Sequence, residues 1–95
     1  MIMTPADIAA AEAIRFPDAG IRKIVRAVAA TSGVDIDRIL SASRVASVVM
    51  ARDLVCYMAH REGYSMERIG RCIGRRDHTT IGTAIAREKA RRGEE

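Results

Sequence analysis

Six consecutive residues, Arg75-Arg76-Asp77-His78-Thr79-Thr80, are all polar and precede an aliphatic residue, Ile81, that opens a new apolar run. Their types suit one chemistry well. An arginine fork matches O6 and N7 of guanine, a carboxylate accepts from a cytosine amino group, and a threonine methyl meets a thymine methyl. A short helical pattern from Ser65 and a glycine at Gly74 stand just before them, which outlines a helix, a turn and a second helix. The second helix of such a unit enters the major groove with its N-terminal residues against base edges. An aspartate there is repelled by phosphates, so Asp77 makes most sense as a base contact that also caps the helix. The alternative is an ordinary capped surface helix, with Asp77 the cap and His78 and Thr79 merely solvated.

Other chemistries fit less well. Cys56 and His60 are spaced i, i+4 on a helical pattern, and Cys72 and His78 supply two further donors. The CxxC and HxxxH pairings of structural zinc sites are absent, so buried free thiols and an exposed histidine are the simpler expectation and no metal or other cofactor is expected. A Cys–His or Ser–His pair can be drawn, but no nucleophile elbow or glycine-rich phosphate loop supports catalysis, and the expectation is a protein that is not an enzyme. No apolar run reaches the ~18 residues of a membrane span. The segment Met1-Ile2-Met3-Thr4-Pro5 has no basic leader pattern, and two cysteines are too few for a disulfide scaffold, so a reduced, cytoplasmic protein is expected.

Charge is distributed unevenly over the 95 residues. Residues 1–40 carry five basic and five acidic side chains, whereas residues 41–93 carry eleven basic and five acidic ones, net +6. Fourteen of the sixteen basic residues are arginine, whose planar fork suits phosphate and guanine better than the point charge of lysine. The isoelectric point near 9.7 is that of a nucleic-acid-binding domain or of a simply basic, soluble surface.

These residues need a scaffold, and the periodicity supplies an all-α one of five to six helices. Thr4-Pro5 reads as a cap and first helical position for an alanine-rich helix from Pro5 to about Arg15, stopped before Pro17. Asp18 or Gly20 opens a second, with Ile21, Ile24, Val25 and Val28 on one stripe and Gly33 as its stop. Asp35 caps one or two turns up to Leu40, and residues 41–44 form a loop. A long helix resumes at Val45 and ends near Gly63, with Val48, Val49, Cys56 and Ala59 on one stripe widened by Leu54, Val55 and Met58. Its run from Ala46 to Ala51 is broken only by Ser47 and is expected to be the most buried part of the fold. Ser65 caps a short helix from Met66 to Ile73. Asp77 caps the last helix, whose inner face is Ile81, Ala84, Ile85 and the methylenes of Glu88. The core is poor in aromatic residues, with only Phe16, Tyr57 and Tyr64 in the chain.

Residues 65–81, SMERIGRCIGRRDHTTI, resemble the signature of the C-terminal DNA-binding domain of the bacterial replication initiator family DnaA. Arg76-Asp77-His78-Thr79-Thr80-Ile81 matches its last part completely. A weaker likeness spans about residues 21–90: Ile39-Leu40-Ser41 with Arg44 resembles the family's short helix and basic loop, and Ala51-Arg52-Asp53 the start of its long helix. The resemblance implies binding of double-stranded DNA, with Arg76, Asp77, His78, Thr79 and Thr80 reading the major groove and Arg44 entering the adjacent minor groove. Arg52, Arg61, Ser65, Arg68 and Arg75 are then the candidates for the DNA backbone, the first two and Arg68 by position and charge, Ser65 by its place at a helix start. Three features depart from the family pattern. Its glycine pair is Gly74-Arg75 here, Arg44 stands almost alone in its loop, and the connection Glu62-Gly63-Tyr64 is about a residue shorter. There is no P-loop, so the resemblance implies DNA recognition without ATP-driven work.

The expected organisation is an N-terminal helical extension, residues 1–20, and a DNA-binding domain, residues 21–95. The extension either covers the domain's own core or docks a protein partner or a second copy. Met1 and this extension favour a whole gene product acting as a regulator of transcription. The DNA-box-reading part of a replication initiator is the alternative.

Overall fold

The computed structural model describes residues 18–74 and 76–94, and no strand occurs among them. Asp18 sets the first helix. Its backbone is extended (φ −116°, ψ 110°), its carboxylate accepts from the Gly20 N–H at 3.1 Å, and α1 runs Ala19–Ser32. The stripe Ile21, Ile24, Val25 and Val28 is buried, and Gly33 closes the helix at φ 74°, a left-handed conformation that costs glycine nothing. A single turn, α2 (Ile36–Ile39), places Ile39 wholly in the core. The long helix α3 (Ala46–Arg61) follows, then α4 (Met66–Cys72) and α5 (His78–Arg92). The described residues thus hold five helices, and the expected helix from Pro5 to Arg15 lies outside them.

α3 is the centre of the fold and packs against each of the other four helices. Its burial differs from the expectation at its start. Ala46, Ser47 and Met50 are exposed and Val49 is half-buried, whereas burial concentrates between Ala51 and Ala59. Six successive residues circle more than one full turn, so an apolar run buries only the part of it that faces a neighbour. The inner face is Val48, Ala51, Arg52, Val55, Cys56 and Ala59, and Leu54 and Met58 are only partly covered. Cys56 packs here as an apolar residue. Burial, with the Asp53 charge adding, pushes its thiol up to about 12, so it stays protonated at neutral pH.

The charged residue Asp53 is fully buried on the same helix. Its carboxylate accepts from Arg87 Nε at 2.9 Å and Nη2 at 3.0 Å, and from Arg91 Nη1 at 2.9 Å. Further along, the Glu88 carboxylate takes Arg91 at 3.3 Å and Arg92 at 2.9 Å. The Tyr57 hydroxyl donates to the Glu94 carboxylate, with contacts of 2.6 and 2.9 Å, while Arg92 lies 4.4 Å from the Tyr57 ring centre. The body and the tail of α5 are therefore both fastened to α3.

This arrangement yields a stability prediction. Replacing Arg87 and Arg91 together by alanine leaves a buried carboxylate without its partners. The expected loss is about 3 kcal/mol, the low end for a broken buried pair, because both arginines are partly exposed and screened. Adding Asp53→Asn to that double variant should recover part of the loss in chemical denaturation. No recovery would show that the arginines stabilise by packing and not by compensating the buried charge.

Candidate nucleic-acid interface

α4 and α5 meet through a turn whose tightness is set by two glycines. The Ser65 hydroxyl accepts from the Arg68 N–H at 3.2 Å and starts α4. Ile73 caps its end and Gly74 turns the chain at φ 67°. The Arg76 N–H then donates back to the Gly70 carbonyl at 2.9 Å. A Cβ on Gly70 would overlap the Arg76 carbonyl oxygen, and one on Gly74 would stand 2.7 Å from the Leu40 carbonyl oxygen. Gly70 was legible only as a glycine inside a short helix, a costly position that usually has a packing reason.

The segment expected to read bases follows at once. Asp77, His78, Thr79 and Thr80 are exposed, and the next residue, Ile81, has no exposure. Asp77 accepts from the Thr80 N–H at 2.8 Å. That backbone hydrogen bond first, and the Thr80 side chain second, hold its carboxyl below the usual aspartate range. Side chains on this first turn project past the packed part of α5, where a base edge can approach. Arg76 differs from its neighbours. It is half-buried and turned back into the protein, where Nη1 donates to the Ile73 carbonyl and Nη2 to the Ser41 carbonyl. Arg75 lies outside the described residues.

Arg44 is exposed on the loop between α2 and α3. Serines shape that loop: the Ser41 hydroxyl accepts from the Ser43 N–H at 3.1 Å and the Ser43 hydroxyl from the Val45 N–H at 3.3 Å. Each is a side-chain turn of the kind serine favours. Arg52 holds the same loop from beneath. Its Nε donates to the Ile39 carbonyl at 2.9 Å, and its Nη2 to those of Ser41 at 2.8 Å and Ser43 at 3.1 Å. Burial, then the nearby charge of Arg76, lowers the Arg52 pKa from its ordinary value. The expectation of Arg52 as a phosphate contact is corrected here: the side chain is buried, and its Nε and Nη2 donate to main-chain carbonyls.

The other backbone candidates fall in two places. Arg68 stays on the α4 side, half-exposed, paired with the Asp18 carboxylate and 5.2 Å from the Tyr64 ring centre. Arg61 is carried to the opposite end of the molecule. It donates at 3.1 Å to the Tyr57 hydroxyl, which in turn meets Glu94 just beyond the C-terminus of α5. α5 is fifteen residues long, about 22 Å end to end at ~1.5 Å per residue, and residues 77–80 lie at its other end. Arg61 is thus not brought together with the others. Among the described residues, no cluster of three potential metal ligands occurs and no helix is long and apolar enough to cross a membrane.

A short helix, a glycine turn and a second helix with an exposed polar first turn, together with the loop that carries Arg44, define a helix-turn-helix DNA-binding domain. The bacterial DnaA protein helix-turn-helix family matches over residues 21–87, and the chain belongs to that family. It is also similar to the chromosomal replication initiator protein DnaA of Ureaplasma parvum serovar 3, with 33% identity over 66 residues. That match covers 68% of the chain but 14% of the relative's length. No solved structure matches.

Two predictions concern the turn. Gly70→Ala must displace the Arg76 backbone, so it should destabilise the fold by about 1–3 kcal/mol, as overpacking does; an unchanged melting midpoint would contradict the close approach. In an NMR pH titration, the Asp77 carboxyl should titrate below an ordinary aspartate. A depressed folded-state pKa means that the cap's stabilisation is present above the ordinary aspartate value and lost as pH falls through the folded one. An Asp77 that titrates as in an unfolded chain would contradict the cap.

Proposed function

We propose that the chain reads double-stranded DNA sequence-specifically and acts as a regulator of transcription at the sites it occupies. Asp77, His78, Thr79 and Thr80 contact base edges in the major groove, and Arg44 enters the minor groove alongside. Ser65 and Arg68, with Arg75, meet the phosphates and set the register. The observation that carries this reading is the abrupt change along α5, from four exposed polar residues to a fully buried Ile81. An ordinary surface helix spreads its polar residues along its outer face; here base-reading types are gathered at the free end of a helix that is fastened elsewhere. A second reading, the box-reading part of a replication initiator, is favoured by the likeness to an initiator protein.

Selection of duplexes from a random pool tests the reading directly. A defined site should emerge, and its positions in the source genome separate the two roles: promoters for a regulator, a replication origin for an initiator part. Thr79→Ala and His78→Ala, made on that site, should each cost about 1–3 kcal/mol of binding on the selected duplex and little on random DNA. Both variants should melt as the wild type does, since neither side chain is in the core. Variants that keep the wild-type ratio of specific to random affinity would show that this turn is not the reader.

A further inference from the structure

Two guanidinium groups from different elements converge on one main-chain oxygen. Arg52, on α3, and Arg76, in the turn before α5, both donate to the Ser41 carbonyl. Arg52 also holds the Ile39 and Ser43 carbonyls, and Arg76 also holds that of Ile73. All these hydrogen bonds end on main-chain oxygens, and among the described residues no carboxylate accepts from either guanidinium; the two positive charges face each other, with the Asp53 charge partly offsetting that of Arg52. Like charges so placed repel, and burial of Arg52 adds to the cost. An apolar pair in the same space would leave these main-chain carbonyls without their donors. What the two forks provide that apolar groups do not is direction: each fixes several carbonyls of otherwise irregular backbone in one geometry.

The carbonyls concerned flank the candidate DNA contacts. Ser43 immediately precedes Arg44, and Arg76 immediately precedes Asp77. A Cβ on Gly74 would stand 2.7 Å from the carbonyl oxygen of Leu40, the residue before Ser41, so a residue without a side chain is needed where the turn approaches the loop. We propose that Arg52 and Arg76 are positioning residues that clamp the Arg44 loop to the turn before α5, so that minor-groove and major-groove contacts keep one fixed spacing. This rests on the DNA-reading function proposed above and reassigns Arg76 from reading bases to bracing the readers.

The test uses Arg76→Lys and Arg52→Lys, which keep the charge and lose the fork, in two measurements. In the free chain, hydrogen exchange at the Ser43 and Val45 amides should accelerate about 10-fold or more in either variant, with the amides of α1 unchanged. On the selected duplex, Arg44→Ala should cost less in the Arg76→Lys background than in the wild type, by about 3-fold or more in affinity. A phosphate contact or a plain stability effect would leave the two substitutions additive. Unchanged exchange in Arg76→Lys overturns the clamp, and so does exact additivity on the duplex. Loss of preference at one base pair with normal exchange overturns it in favour of base reading by Arg76. Should Arg52→Lys fail to fold, Arg76→Lys alone decides, because that side chain is half-buried and outside the core. A wild-type chain without any sequence preference overturns the parent reading and this one with it, a result visible before any substitution is made.

Discussion

Asp53 has no contact with solvent, and three N–H groups from Arg87 and Arg91 converge on it. A buried pair of this kind adds little net stability over apolar packing. Its value here is directional. A two-pronged arginine bond is satisfied only in one plane and at one distance, so it fixes how far α5 slides along α3 and how it is rotated. Once that is set, Ile81, Ala84 and Ile85 must face inward, and residues 77–80 are left beyond the end of the packed surface. The Tyr57–Glu94 hydrogen bonds carry the same fastening to the C-terminal end of α5. The open first turn of α5 is the remainder of a helix anchored everywhere else.

The arginines divide by what their forks meet. Arg87 and Arg91 meet a buried carboxylate, Arg52 and Arg76 meet carbonyls, and Arg68 meets Asp18. Many arginines of residues 41–93 thus hold the protein's own carboxylates and carbonyls in place, while the net charge of the segment is unchanged by that pairing. The loop at Arg44 is shaped by its serines and the turn at Asp77 by its cap.

Most of the architecture was legible because it rests on local rules. Asp18, Ser65 and Asp77 cap the helices they were expected to cap, Gly33 and Gly74 end elements where a left-handed residue is needed, and the stripes of α1 and α5 are the buried ones. The start of α3 was misjudged because a run of apolar residues carries no information about which side has a neighbour. Arg52 was misassigned for a related reason: an arginine reads as surface charge unless its partners are visible, and carbonyls thirteen residues back leave no mark in a sequence. The same holds for Asp53 and its partners, some 34 and 38 residues away. Arg61 lies on the helix expected for it, but only the packing of α3 along α5 shows that this end points away from residues 77–80.

The central claim is that one end of the molecule, residues 77–80 with the Arg44 loop, faces the duplex. NMR titration of the isotopically labelled chain with its selected duplex tests it most directly. The expected result is a set of backbone shift changes confined to residues 41–45, the start of α4 and residues 74–80, with Arg61, the tail of α5 and the C-terminal half of α1 unmoved. Changes centred on Arg61 and the C-terminal end of α5, with His78 and Thr79 silent, would contradict it.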